Sequence, residues 1–135
     1  MKVVIDSNVF VSSFFGGNPK KIIDFWKQGK IILCLSGPIL DEYIAVLRRM
    51  GFTDRKGLQR LLDLFAQGFN SLFTAKTPNL SIVKEYPDDD KFLECAVAIG
   101  AHCIISGDKS VTDVKEYIGI KIFTPSQFLK EYATL

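Results

Sequence analysis

The sequence predicts an α/β domain built as a three-layer α/β/α sandwich, with a mainly parallel central sheet between helical layers. Three observations predict it. Short β-branched and aliphatic runs recur at "VVI", "KIILCLS", "HCIIS" and "IKIF". Between these runs the apolar residues fall at helical spacing. Two of the runs are followed closely by a carboxylate, Asp6 and Asp108. Continuous apolar runs suit strands buried on both faces, and strands alternating with helices argue for parallel βαβ units.

Each element has its own justification. Residues 3–5 are a β-branched strand. "FFGGNPKK" is a turn or loop, and Pro19 suits the first turn of the helix that follows. Ile22, Ile23, Phe25 and Trp26 give that helix an apolar stripe, and Gly29 ends it. "KIILCLS" is a second buried strand, and Ser36 is placed to cap the next helix. In that helix Ile39, Leu40, Tyr43, Ile44, Leu47 and Met50 keep helical spacing as far as Gly51. A further helix carries Leu58, Leu61, Leu62, Phe65 and Phe69 on one face. "TAKTPNLSIVKEYP" is a connector with room for a short edge strand. The helix opened by Asp88 turns Phe92, Leu93, Ala96 and Val97 inward. "HCIISGD" is a third strand ending in an acid, a fourth covers 120–123, and a closing helix follows Pro125.

At 135 residues the chain makes one domain, 1–135, able to bury roughly two-thirds of its unfolded surface without staples. Apolar residues form 47% of it, which excludes a disordered tail. The formal charge is only +2, so an anionic partner must meet a local basic patch. Cys34, Cys95 and Cys103 lie in apolar runs with no C-x-x-C spacing, as expected of buried, inert thiols in a reducing compartment. Lys2 and Asp6 come before any long apolar stretch, so no signal peptide is read. No run reaches the roughly 20 apolar residues of a membrane span. A soluble cytoplasmic protein is expected.

Four acids carry the chemistry. Asp6 and Asp108 follow apolar strands, and ligands of open parallel sheets sit outside the carboxyl ends of the strands. Asp90 enters at the first turn of its helix, with Leu93 and Val97 on the same side. Glu42 is bracketed by Ile39 and Val46. Four such acids can converge on one edge of the sheet. Like charges at close range need compensation, which a hard divalent cation with oxygen ligands supplies. Mg²⁺ or Mn²⁺ in such a cage orients and polarises a phosphate and lowers the pKa of a bound water. Taken singly, each acid has a plainer reading. Asp6 suits a turn, Asp88 a helix N-cap, Asp89 the positive end of the same helix, Glu42 a solvated helix face and Asp108 a loop. Joint placement carries the metal reading.

Together, "VVIDSNVFVSSFFGGNP", "LSGPILDEYIAVLRRMGF", "YPDDDKFLECAVAIGAHCIISGDKSV" and "IKIFTPSQFL" resemble the PIN-domain family. They look closest to its toxin components of toxin–antitoxin pairs, similar to VapC. The resemblance runs nearly end to end. It implies an Mg²⁺- or Mn²⁺-dependent ribonuclease restrained by an antitoxin protein, and a homodimer. The family's four acids fall on Asp6, Glu42, Asp90 and Asp108. Asn8 is the polar helper of the first, and Ser106 fills the small hydroxyl position before the last. One departure stands out. Many relatives carry an acid two residues after the fourth, where this chain has Ser110, which bears on a second metal ion.

Lys20 and Lys21 after "GGNP", Arg48 and Arg49 at a helix end, and Arg55, Lys56 and Arg60 in the next helix are candidate phosphate contacts. Such contacts give salt-sensitive affinity without sequence information. Phe14 and Phe15 suit core packing, with base stacking as the alternative. His102 is the single histidine and lacks the partners of a hydrolase triad. No P-loop or G-x-G-x-x-G is present. Two rivals remain beside the nuclease: a catalytically silent PIN module that binds RNA or a protein partner, and a receiver-like phosphoacceptor. The receiver needs an acid pair and a matching lysine in an order this chain lacks. The helices between Ile39 and Phe69 hold more apolar surface than a small core obviously absorbs, which also points to a homodimer.

Overall fold

Strand β1 (Lys2–Ile5) is apolar on both faces because both are covered, and Val3, Val4 and Ile5 are fully buried. The computed structural model describes residues 1–51 and 55–134, and the side chains at 55–58 fall outside that description. Helix α1 (Ser7–Ser12) starts at once after β1 and runs into a 3₁₀ turn (Ser13–Phe15). Asp6 is its cap, accepting the Asn8 amide at 2.9 Å. The loop expected at "FFGGNPKK" is therefore mostly helical, since α2 (Gly17–Lys27) follows the 3₁₀ turn after a single glycine. Gly29, at φ +77°, ends the α2 segment as expected.

Strand β2 (Ile32–Ser36) leads into α3 (Gly37–Arg49), and the Ser36 hydroxyl accepts the Ile39 amide. Helix α4 (Arg55–Ala66) precedes β3 (Ser71–Thr74). The edge strand thus lies just before the connector in which it was expected. A 3₁₀ turn (Pro87–Asp89) opens α5 (Asp90–Ile99). The N-cap position is Asp89, and it makes no side-chain capping bond. Asp88 is therefore not the cap: the 3₁₀ turn places it one residue too early. β4 (Cys103–Ile105), the short α6 (Lys109–Thr112), β5 (Glu116–Tyr117), β6 (Ile120–Phe123) and α7 (Pro125–Glu131) complete the order. A capping box of Thr124 and Gln127 starts α7.

The six strands run in the order β3-β2-β1-β4-β6-β5. All neighbours are parallel except β5 and β6, which form an antiparallel hairpin. The steps β1 to β2 to β3 move one way across the sheet, and those from β3 to β4 to β6 move back. Right-handed crossovers then place α1 to α4 on one face and α5 on the other. Helix α1 packs on α2 and α3, α7 packs on α2, and α5 lies across β1, β2 and β3. This is the predicted three-layer α/β/α sandwich.

Trp26 is fully buried and organises the first face. Phe65 and Phe69 lie 5.8 and 5.7 Å from its ring, and Asn70 exchanges two 3.1 Å hydrogen bonds with it. Leu61, Phe65 and Phe69 pack against the core, so the core absorbs much of the apolar stripe expected to be in excess. Leu58 lies outside the described side chains. All three cysteines are buried, and burial pushes their thiols up to about 11 for Cys34 and about 12 for Cys95 and Cys103. They are inert toward electrophiles near neutral pH. No helix among the described residues is long and apolar enough to cross a membrane.

Candidate active site

The order of the strands reverses between β1 and β4. A crevice opens at such a switch point, beyond the carboxyl ends of the two strands. Ile5 and Ile105 are paired across it, and the Asp6 amide donates to the Ile105 carbonyl at 2.9 Å. The next residues on each strand are Asp6 and Ser106, both buried. The Ser106 hydroxyl donates to Asp6 Oδ2 at 2.7 Å and accepts the Asp108 amide at 3.0 Å. One small hydroxyl thus ties the first acid to the turn that carries the fourth. Asn8 serves Asp6 through its backbone amide, while its side chain is exposed.

Burial raises the Asp6 carboxyl to about 7, and the charge and carboxyl group of Asp108 add to the shift. The hydrogen bonds from Ser106 and Asn8 work against it and do not cancel it. A carboxylate held above its ordinary range at the end of a buried strand lacks a compensating positive charge.

Helix α3 brings Glu42 to the same crevice. Tyr43, the next residue, stacks on Phe10 of α1 at 4.3 Å and donates its hydroxyl to the Ile5 carbonyl. That bond anchors α3 to the last residue of β1. Ser7 donates to Glu42 Oε2 at 2.7 Å, and the Lys91 ammonium lies 3.4 Å from Oε1.

The acids of the triplet before α5 have different surroundings. Asp90 is buried, and its Oδ1 accepts the amides of Ile82 and Val83 at 3.0 and 2.9 Å. It fastens the preceding loop to the helix. The acid in the field of Asp108 and Glu42 is Asp89. Its carboxyl is raised by burial first and then by Asp108 and Glu42, against the Ser110 hydrogen bond and the Lys91 charge. Ser110 donates to Asp89 Oδ2 at 3.3 Å. Ser110, where the resemblance leads one to expect an acid, is thus a hydroxyl that orients another acid. A pocket of about 570 Å³ opens here, with Glu85, Tyr86 and Asp89 on one side and Asp108, Lys109, Ser110 and Asp113 on the other.

Lys20, Lys21, Arg48 and Arg49, expected to hold substrate, do not line the pocket beside the acids. Lys20 is paired with Asp24 at 2.9 Å, and Lys21 borders a groove between α2 and α7. Arg48 and Arg49 are exposed in the last turn of α3, about 9–10 Å further along the axis than Glu42 at ~1.5 Å per residue. There they complement the negative end of the helix. Arg60 is exposed, while the side chains of Arg55 and Lys56 lie outside the described residues. The lysines at the acids are Lys91 and Lys109. Phe14 and Phe15 are exposed rather than core residues, although Phe14 meets Phe10 edge-on. His102 accepts the Lys2 amide at 3.2 Å, at the opposite end of the sheet.

The donor set fits a hard divalent cation. It offers carboxylate and hydroxyl oxygens, and two of its acids, Asp6 and Asp89, are raised first by burial and then by the neighbouring Asp108. Among the described residues, no three His, Cys, Asp or Glu donors already stand at ligating spacing. Asp6, Glu42, Asp89 and Asp90 are instead each turned toward a hydroxyl, an amide or Lys91.

A doubly wound α/β domain with acids gathered at its switch point defines a class that handles phosphate through bound cations. A family model of the PIN domain matches residues 2–110, and the chain belongs to the PIN domain family. PIN domains are as a class nucleases and generally use divalent metals. The chain is also similar to a protein of Methanocaldococcus jannaschii named "Uncharacterized protein MJ1680", with 32% identity over 143 residues that cover 98% of this chain and 92% of that one. No solved structure matches the chain significantly.

Proposed function

We propose that the chain is an Mg²⁺- or Mn²⁺-dependent endoribonuclease, acting as the toxin of a toxin–antitoxin pair. One observation carries the nuclease reading. Asp6 and Asp108 meet at the switch point of the sheet, with Asp89 and Glu42 facing them. The toxin role and the antitoxin partner rest on the resemblance of the motifs alone.

In this reading Asp6, Glu42, Asp89 and Asp108 hold the cation, and Asp90 positions Asp89 by fastening the loop in front of α5. When bound, the ion supplies Lewis acidity and a water of lowered pKa. Ser106 keeps Asp6 and Asp108 facing the same space. Ser7 and Lys91 fix the orientation of Glu42, and Ser110 fixes that of Asp89. Burial and Asp108 favour protonation of Asp6, which lessens its repulsion with Asp108. The expected result is cleavage of single-stranded RNA in Mg²⁺ or Mn²⁺ and none in chelator. An RNA pool left intact in excess of either ion would sink the nuclease reading.

A second reading has its own observation. Ser110 occupies an acid's place, and that favours a silent PIN module binding RNA or a protein. RNA retained on the protein but never cut would support it. The homodimer also remains a proposal, now with less of the α4 stripe available to it. A monomer by light scattering at micromolar concentration ends it.

A further inference from the structure

The pocket beside the acids has two features that the cation does not use. The first is Tyr86. It stands at the pocket wall beside Asp89 and is 56% exposed. Its side chain has no hydrogen-bond or ring partner among the described residues, so packing does not explain its place. Its backbone is nevertheless held. The Tyr86 amide donates to Val83 at 3.3 Å, and its carbonyl accepts the Asp89 amide at 2.9 Å. Pro87 follows and restricts it to an extended conformation, observed at φ −135°. An exposed ring on an immobilised backbone binds at low entropic cost.

The second feature is Lys109. It lines the same pocket from the other side, next to Asp108. Its ammonium joins neither of the two ion pairs among the described residues. A polyanion approaching four acids meets repulsion, and an unpaired lysine at the rim offsets part of it.

An aromatic face and a cation in one pocket with acids that would handle phosphate suit a single nucleic acid strand. Every base has a π-face for a ring, and a phosphate lies one nucleotide away. Resting on the ribonuclease reading above, we propose that Tyr86 is a substrate-binding residue. Its ring stacks on the base beside the phosphate presented to Asp89 and Asp108, while Lys109 holds a flanking phosphate. A duplex keeps its bases stacked on each other and cannot offer that face, so the contact selects single strands.

Two measurements on the full chain test this. One is anisotropy of a labelled single-stranded RNA in chelator, and the other is steady-state cleavage of the same RNA in Mg²⁺. Tyr86→Ala is expected to weaken binding roughly 5- to 150-fold. That loss falls on KM, with kcat near wild type. Tyr86→Phe keeps both values, because the ring acts and the hydroxyl does not. An RNA with one abasic residue beside the cleaved bond binds wild type as poorly as intact RNA binds Tyr86→Ala, and the two changes do not add. Lys109→Gln lowers the salt dependence of binding by about one phosphate contact. Thermal melts confirm that each variant is folded. Wild-type affinity and KM in Tyr86→Ala overturn the proposal, as does an equal loss in Tyr86→Phe. Those outcomes leave the ribonuclease reading intact. Wild type that binds the RNA through Tyr86 but never cuts it refutes that reading and spares this one.

Discussion

Asp6→Asn is expected to lower metal-dependent RNA cleavage by on the order of 10³-fold or more while raising the melting temperature in chelator. The two effects share one cause. Burial first, and then the neighbouring Asp108, raise the Asp6 carboxyl from 3.8 to about 7. Asn keeps what Asp6 gives the fold, because its side-chain oxygen still caps α1 by accepting the Asn8 amide. Its amide can donate to Ser106 and toward Asp108, so a repulsion becomes an attraction.

The pH dependence follows. Because the folded pKa of Asp6 lies above the unfolded value, the folded chain binds more protons between pH 3.8 and about 7. The stability linked to this group is fully present below pH 3.8 and is lost as pH rises through about 7. Melting in chelator should therefore fall from pH 5 to pH 8 in wild type and change less in Asp6→Asn. Affinity for Mg²⁺ should rise over the same range, since the ion displaces the proton. A variant with full activity would end the metal-nuclease reading. A variant that does not fold would make Asp6 a structural residue.

Asp89 and Asp90 should separate cleanly, although they are adjacent and chemically identical. Asp89→Asn is expected to reduce cleavage at least about 10²-fold, as loss of a cation ligand does, with the fold unharmed. Burial, Asp108 and Glu42 all raise its carboxyl, so neutralising it relieves the metal-free chain. Asp90→Asn should stay within about tenfold of wild type, because its carbonyl oxygen can still accept the Ile82 and Val83 amides. Asp90→Ala removes both bonds and leaves the buried Val83 amide unpaired. That change should cost about 2–5 kcal/mol and lower the melting temperature by several degrees or more. The opposite pattern, with Asp90→Asn inactive and Asp89→Asn active, would return the ligand role to Asp90.

Strands buried on both faces were the most legible part of the fold, because unbroken runs such as "VVI" and "CII" tolerate no other placement. Helix α1 was hidden, since "VFVSS" is rich in β-branched residues and continues the apolar character of β1. The Asp6 cap and the packing against α3 override that propensity. The β5–β6 hairpin gave no signal either. Its two-residue turn has Ile118 at φ +42° and Gly119 at φ +84°, and a β-branched residue in the left-handed region is the opposite of the usual turn chemistry. Strand β3 is half-exposed at the sheet edge, so it lacks a buried run. In the site, Asp6, Glu42 and Asp108 follow from position relative to strands and helix faces. Which acid of "DDD" lies in the field of Asp108 and Glu42 does not. It turns on a one-residue 3₁₀ offset before α5 and on the loop that Asp90 fastens, and neither leaves a periodic trace. Lys91, Lys109 and Tyr86 were overlooked although each lies within three residues of an acid, because a lone lysine or tyrosine beside an acid leaves no periodic trace of which way it faces.

The bond from Ser106 to Asp6 joins residues 100 positions apart, and that separation sets an order of events during synthesis. A chain made from its N-terminus can pair β1 with β2 early, but the other edge of β1 stays bare until β4 exists. Closing a loop of this length carries an entropic cost that only the finished neighbour offsets. Until Ser106 and Asp108 are in place, Asp6 has no second acid beside it. Under the ribonuclease reading proposed above, a nascent chain that still lacks β4 has no assembled site with which to cut the RNA of the ribosome around it.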